Sequence, residues 1–425
     1  MENKQIAALE ISNRTIKLVI GYVLDNKVNV LHKIKKPLSV SFKDGDIFDI
    51  GSLSDDLSKI QVCESNIKNT KLKFNINEVS LVLPSYGLQV YRSVKSTNTI
   101  SNISKIDKID ISNALALVRK EKIPSPNDVL VDIIPTLFAL DDGKTYTIPP
   151  LGKISSNVSI DANVYTLPRK MIADMKRACE NAGMRPTREI ISSIGVASYL
   201  KNMNYQHQTY VLVDFGEKTT TLSFVGKNTL YSSNFFSLGI EDLVEQIAQK
   251  LNIARDKAEE YKNLFGLDQR KTSYNPVLAR TSDEDGTVHK YTKEDIYQIT
   301  SDFLETWMDY FLGSHNNLMD NQRIGEERRS IPLVFIGEGA KLNGLESYLS
   351  KMLPSTPISF VYLDSIGADE SEFINCLGAI YVSSQYRGAL EDENKNFINI
   401  VTREKDRSRE TSLRHERYDE TKDEL

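Results

Sequence analysis

The chain opens with three apolar runs divided by short polar turns, Ile6–Ile11, Thr15–Val23 and Lys27–Ile34, a pattern that predicts three strands. Asp25-Asn26 marks the second turn. A helical stretch is expected around Leu53–Ile67, and the apolar run Glu78–Leu83 reads as a buried strand. From Gly87 to Leu167 the texture changes. Ile109–Lys122 is an amphipathic helix ended by Pro124, set among strand candidates Val129–Phe138 and Asn163–Leu167 and the turn Asp141-Asp142-Gly143. This segment predicts a small α+β insert. Arg169–Ala182 follows as a helix, with Met171, Met175, Ala178 and Ala182 on one face and Gly183 as its stop.

The opening pattern then returns. Tyr210–Phe215, Thr219–Val225 and Leu230–Phe236 again read as three strands with tight turns. Helices are expected over Gly239–Leu251 and Arg255–Leu264, then a polar loop over Arg270–Val288. Helix Lys293–Leu312 carries Ile296, Ile299, Phe303, Trp307 and Tyr310 on one stripe, which reads as core. Pro332–Ile336 is a strand, followed by a glycine turn and a helix through about Lys351, and Ile374–Ser384 is a last helix. Thr402–Leu425 holds seven Lys/Arg and eight Asp/Glu with almost no apolar residue, so it should be disordered.

Composition narrows the class. A chain of 425 residues exceeds one ordinary core and implies several domains. A net charge of -5 argues against a nucleic-acid binder. Cys63, Cys179 and Cys376 lie far apart, forming neither a disulfide framework nor a zinc site, and a reducing cytoplasm is expected. The start carries no signal-peptide pattern, and no run approaches the length of a membrane span. The final Lys422-Asp423-Glu424-Leu425 spells a retention signal, but within a charged tail it reads as coincidence.

Two strand meanders about 200 residues apart carry matching turns. Glu10-Ile-Ser12-Asn-Arg-Thr15 and Asp214-Phe-Gly216-Glu-Lys-Thr219 each place an acid at the end of a buried strand, a small residue two later and a threonine five later. A duplicated domain closing on a ligand would produce this pattern. The chemistry suits a triphosphate: small residues let backbone N–H groups approach phosphate oxygens. The Thr219 and Thr220 hydroxyls can donate further bonds. The acids can hold water on a phosphate-bound Mg2+. A third turn, Gly337-Glu338-Gly339, joins a strand to a helix and would lay a nucleotide against backbone.

These residues resemble the FtsA branch of the actin-like ATPase superfamily, over about Gln5 to Ala389. The resemblance implies a duplicated, ribonuclease H-like α/β fold of two lobes with a 1C-type (SHS2-type) α+β insert. It divides the chain into subdomain 1A (1–86 and 168–206), 1C (87–167), 2A (207–240 and 320–390), 2B (241–319) and a charged tail (391–425). The first two turns correspond to the phosphate-1 and phosphate-2 motifs and Gly337–Gly339 to the adenosine motif. Ile190–Tyr199 and Cys376–Tyr381, with Gly195 and Gly378, fall where the connecting helices belong. Gly239, Ala258-Glu259-x-x-Lys262 and Gly266 match further family positions, Glu259 and Lys262 flanking ribose and adenine. Asp132-Ile133-Ile134-Pro135 and Pro150-Leu151-Gly152 echo motifs of the insert. The nucleotide-binding set implied is Glu10, Ser12, Thr15, Asp214, Gly216, Thr219, Thr220, Gly239, Glu259, Lys262, Gly337 and Gly339. ATP and Mg2+ are the implied cofactors, with Glu10 and Asp214 reaching the metal through water.

The partners implied are the C-terminal peptide of FtsZ at 2B, where Lys293 is the candidate contact, further copies of the chain in filaments, and later division proteins at 1C. The expected place is the cytoplasmic face of the membrane at the division site. Ser12, Lys218, Thr221 and Glu338 depart from the family pattern, and Glu10 replaces its usual Asp, which implies binding with slow or absent hydrolysis. The family's amphipathic membrane helix has no counterpart here beyond Phe397, Ile398, Ile400 and Val401, so direct membrane anchoring is not expected. A pilus-assembly relative of the PilM kind, or a sugar kinase or phosphatase of the same superfamily, remain the alternatives.

Overall fold

The computed structural model describes residues 5–39, 42–43, 46–47, 49–67, 70–203, 205–227, 229–267, 275–282, 287–322, 324, 330–361 and 371–385. The expected tail and the Phe397–Val401 cluster lie outside them, as does part of the 270–288 loop.

Two five-stranded sheets share one topology. In the first, strands Ile6–Ile11, Thr15–Leu24 and Lys27–Pro37 form an antiparallel meander. Glu78–Leu83 pairs parallel with Ile6–Ile11, and Arg185–Ile191 pairs parallel with Glu78–Leu83. In the second, Tyr210–Phe215, Thr220–Gly226 and Thr229–Phe236 repeat the meander, Leu333–Ile336 adds parallel to Tyr210–Phe215, and Ile358–Phe360 adds parallel beyond it. The inner strands Thr15–Leu24 and Tyr210–Phe215 are mostly apolar because their residues are buried on both faces of the sheet. In the Asp25-Asn26 turn both residues are left-handed, at φ 49° and 63°, as a two-residue hairpin matching the strand twist requires.

By internal contacts the chain divides into two units. One joins Met1–Gln89 to Leu167–Tyr381 and holds both five-stranded sheets. The other joins Val90–Thr166 to the chain from Val382. Within this second unit, strands Gln89–Asn98, Asp128–Leu140 and Asn157–Pro168, with short Thr145–Tyr146, make a four-stranded sheet. Helix Lys108–Arg119 packs Ile111, Ala114, Leu115 and Val118 against Phe138, Val158 and Ile160. Its start is fixed by Asp107 and Asp110, which cap each other's backbone N–H groups.

Several expectations are corrected. The helix expected over Leu53–Ile67 is Ile50–Gln61, because Val62 turns extended and starts the hairpin Val62–Ile67/Thr70–Asn75. The polar loop contains a hairpin, Ala279–Ser282 with Val288–Tyr291. Helix Lys293–Asn321 runs nine residues past the expected end, and Phe311 rather than Tyr310 continues its buried stripe, Tyr310 being 57% exposed. The turn after Leu333–Ile336 leads first to a short 3-10 turn, Gly339–Lys341, and only then to helix Leu345–Met352. Among the described residues no helix is long and apolar enough to cross a membrane.

The buried thiols make an accessible check. Cys179 and Cys376 have no exposed surface, and burial pushes the Cys179 thiol up to about 12 and that of Cys376 well above its ordinary value. Thiolate is the reactive form. A thiol reagent at pH 8 is therefore expected to modify Cys63, which is half-buried, before the others, which should react only on denaturation. Fast modification of all three in the native protein would contradict this packing.

Candidate nucleotide cleft

The two repeated turns face one cavity of about 120 Å3. Its lining includes Glu10, Ser12 and Lys17 from the first sheet's side and Asp214, Gly216, Glu217, Thr219 and Gly337 from the second's. Glu10 and Asp214 hold equivalent places, each near the end of the central strand that pairs antiparallel on one side and parallel on the other. Glu10 accepts from the Asn375 side chain at 2.9 Å, while its second oxygen is buried without a hydrogen-bond partner. Burial first, and the Glu10 carboxylate second, push the Asp214 carboxyl up to about 6, against the pull of Lys17 and Asn375. Both groups line one cavity, and a cation entering it would relieve the charge that Glu10 sets against Asp214.

Gly337 sits at φ 91°, and a Cβ there would lie 2.5 Å from Asp214 Oδ1 and 2.6 Å from the Phe215 carbonyl oxygen. Only glycine allows this crossing of the third turn over the second strand end. Gly216 closes its own turn through the backbone. Its N–H donates to the Thr219 carbonyl oxygen and its carbonyl accepts from Ile240 N–H, each at 3.0 Å.

Some expected site residues act elsewhere. Thr220 points to the opposite side of its strand from Thr219 and Thr221, which line the cavity. Its hydroxyl donates to the Leu238 carbonyl and accepts from Trp307 Nε1, so it is a packing residue. Gly239 and Gly339 do not line the cavity. A Cβ on Gly239 would meet the Glu217 carbonyl oxygen at 2.3 Å, and one on Gly339 would meet the Phe215 ring at 2.3 Å, so each glycine permits close packing behind a turn. Glu259 pairs with Arg255 at 3.4 Å, and neither Glu259 nor Lys262 lines the cavity. Burial lowers the pKa of Lys262, against the carboxylates of Glu259, Glu338 and Glu241.

Other residues join the site unannounced by the turn spacing. Lys17 is 4% exposed, with Nζ 4.0 Å from Glu10 and 3.8 Å from Glu338. Burial alone would drive it neutral, but Glu10, Glu338, Glu217 and Glu372 outweigh that and raise its pKa, so it stays charged. Its signal in the sequence was a lone cation inside the apolar strand Thr15–Leu24. Glu338 also contacts Lys35, and Glu372 holds Lys35 at 2.6 Å and Lys341 at 2.9 Å. Burial, and hydrogen bonding with Glu372, push Glu338 up to about 7. Glu217 crosses to the first turn: it accepts from Ser12 Oγ at 2.8 Å, Thr15 Oγ1 at 2.7 Å and Arg14 N at 3.0 Å.

The cleft fits a hydrated cation and a phosphate in three respects: the Glu10 oxygen that accepts no hydrogen bond, the two glycine turns and the buried charge of Lys17. Among the described residues no group of three or more His, Cys, Asp or Glu is placed to hold a metal ion.

No family model matches the chain. It is 22% identical to the cell division protein FtsA of Staphylococcus epidermidis over 428 residues, covering 99% of this chain and 87% of that protein. It is 20% identical to FtsA of Streptococcus pneumoniae, covering 91% and 80%. Among solved structures, a PilM–PilN type IV pilus biogenesis complex superposes with a TM-score of 0.60 at 16% identity, covering 90% of this chain and 99% of that one. With its duplicated sheets and paired turns, the chain has the actin-like fold and resembles the cell division protein FtsA over nearly its whole length.

Proposed function

We propose that the chain is a nucleotide-binding, actin-like scaffold of bacterial cell division. The observation that carries the nucleotide reading is the pair of equivalent strand ends, Glu10 and Asp214, facing one cavity beneath Gly216 and Gly337. When bound, Mg2+ would draw charge from the phosphates, and Glu10 and Asp214 would orient its water. Ser12, Thr15 and Thr219 would donate to phosphate oxygens and Lys17 would balance their charge. Gly337 marks the side for the adenosine, with Glu259 and Lys262, the family's ribose and adenine positions, lying outside the cavity itself. Ser12, Lys218 and Thr221, which stand in place of family residues, support slow or absent hydrolysis.

The similarity to FtsA supports the cell-division part. On this reading the segment 241–319 takes the C-terminal peptide of FtsZ, with Lys293 at the start of its long helix as a contact. The 87–167 segment serves filament contacts and later division proteins, and a partner brings the chain to the cytoplasmic face of the membrane at the division site. The likeness to the PilM chain favours a second reading, pilus assembly, and co-purification against FtsZ separates the two.

A ligand bound only by the native state raises its melting temperature by mass action. Millimolar MgATP is expected to raise that of the wild type, and Asp214→Ala to remove most of the shift. Equal shifts in both proteins would exclude Asp214 from the site.

A further inference from the structure

The first turn is already occupied. Glu217 spans 205 residues of sequence to take Ser12 Oγ at 2.8 Å, and it also takes Thr15 Oγ1 at 2.7 Å and Arg14 N at 3.0 Å. These are two hydroxyls and a backbone N–H converging on one carboxylate, and Glu217 is 7% exposed. They are the donors that a phosphate oxygen would need in this turn. A hydroxyl proton or an N–H cannot serve two anions at full strength.

We propose that Glu217 is a built-in anion that stands where a phosphate of the bound nucleotide would lie, so that the cleft closes on its own carboxylate and a polyphosphate must displace it. The inference rests on the nucleotide reading above and deepens it. Two further observations support it. Among the described residues, the cavity is lined by five carboxyl groups, Glu10, Asp214, Glu217, Glu338 and Glu372, against one lysine, Lys17. Glu338 and Glu372 are balanced by Lys35 and Lys341 behind them, but Glu10, Asp214 and Glu217 share Lys17, so the turns resist an incoming anion unless a carboxylate withdraws or a cation arrives with it. The same crossing is reinforced beside it. Arg14 pairs with Glu245 at 3.2 Å and with Glu241 at 3.8 Å, both on the helix Ile240–Leu251 that follows the second turn. The two turns are thus held together by the chain's own ion pairs, a task that a phosphate between them would otherwise perform.

Glu217 thereby sets nucleotide affinity. Removing it has two opposite consequences. Without ligand, the contact between the turns is lost and the protein melts at a lower temperature. With ligand, the three donors are released and a competing charge is gone, so nucleotide binds more tightly. A residue with a merely structural role would weaken both.

The test is titration of the full chain with MgATP, and separately with magnesium pyrophosphate, by calorimetry and thermal shift. Wild type, Glu217→Ala and Glu217→Gln are compared, the last keeping the shape should the first fold poorly. The expected result is a lower melting temperature for both ligand-free variants, with MgATP affinity raised tenfold or more in Glu217→Ala and by less in Glu217→Gln. Pyrophosphate should gain in parallel, since the competition is for phosphate oxygens. Equal or weaker nucleotide binding by the variants, with wild type binding well, would overturn the inference and leave the nucleotide reading standing. No binding by any of the three at millimolar concentration would overturn the nucleotide reading, and this inference with it.

Discussion

Gly378→Ala is expected to destabilise the first unit by roughly 1–3 kcal/mol or more, while Gly195→Ala, its partner in the same contact, should be close to neutral. Both glycines lie where helix Ser192–Asn202 meets helix Ile374–Gln385. A Cβ on Gly378 would stand 2.5 Å from the Gly195 carbonyl carbon, 2.7 Å from its oxygen and 2.9 Å from Val196 N. All three are backbone atoms of a helix, and none can rotate aside. A Cβ on Gly195 would find Ile190 Cγ2 at 3.3 Å and the Gly378 carbonyl carbon at 3.4 Å, which a shift of a few tenths of an ångström relieves. Alanine's advantage over glycine within a helix, about 1 kcal/mol, offsets that small strain at Gly195 but not the clash at Gly378.

The crossing matters because each helix leaves one sheet and packs on the other. Ser192–Asn202 follows the first sheet's Arg185–Ile191 and packs on Thr229–Phe236 of the second. Ile374–Gln385 comes after the second sheet and meets the first, where Ile380 lies against Gly21 and Asn375 reaches Glu10. Forcing the helices apart at Gly378 therefore also moves Asn375 relative to Glu10. Denaturant melts of both variants, followed by circular dichroism, give the comparison. Equal stability of the two would show that the helices are not in backbone contact.

What could be read from the sequence follows from locality. Ile6–Ile11 and Tyr210–Phe215 were legible to the residue because apolar runs end abruptly at Ser12-Asn13 and Gly216-Glu217. The paired turns were legible because acid, small residue and threonine recur at fixed spacing within six residues. Arg185–Ile191 was not, since Arg185, Arg188 and Glu189 disguise an edge strand whose pairing is decided by a neighbour a hundred residues away. Thr220 was misjudged because adjacent strand residues face opposite ways, a rule that assigns Thr219 and Thr221 together and Thr220 apart. Glu217 and Glu372 acquire their roles only through partners distant in the chain, which no local spacing announces, and Lys17 showed itself only as a lone cation in an apolar strand.

The largest single loss is expected from Trp307→Ala, about 3–5 kcal/mol. The ring has no exposed surface and stacks on Phe215 at 4.9 Å and on Phe311 at 5.0 Å, with Phe236 edge-on at 6.1 Å. Truncation would open a cavity that these rings are too constrained to fill. It would also take the indole N–H from Thr220 Oγ1, leaving a buried hydroxyl with one partner fewer. Trp307→Phe keeps most of the volume and loses that bond, so it should cost much less than the alanine variant. The effect reaches the cleft through one neighbour. Phe215 follows Asp214, stacks on Trp307 and carries Gly339 against its ring, so the second and third turns rest on the same aromatic stack. Loss of Trp307 should therefore loosen Asp214 and Gly337 as well as the long helix Lys293–Asn321. A melting-temperature drop of about 5–8 °C, using about 1.6 °C per kcal/mol for a unit of this size, is the expected reading for Trp307→Ala, followed by circular dichroism. A drop no greater than that of Trp307→Phe would mean the ring is not the centre of this core.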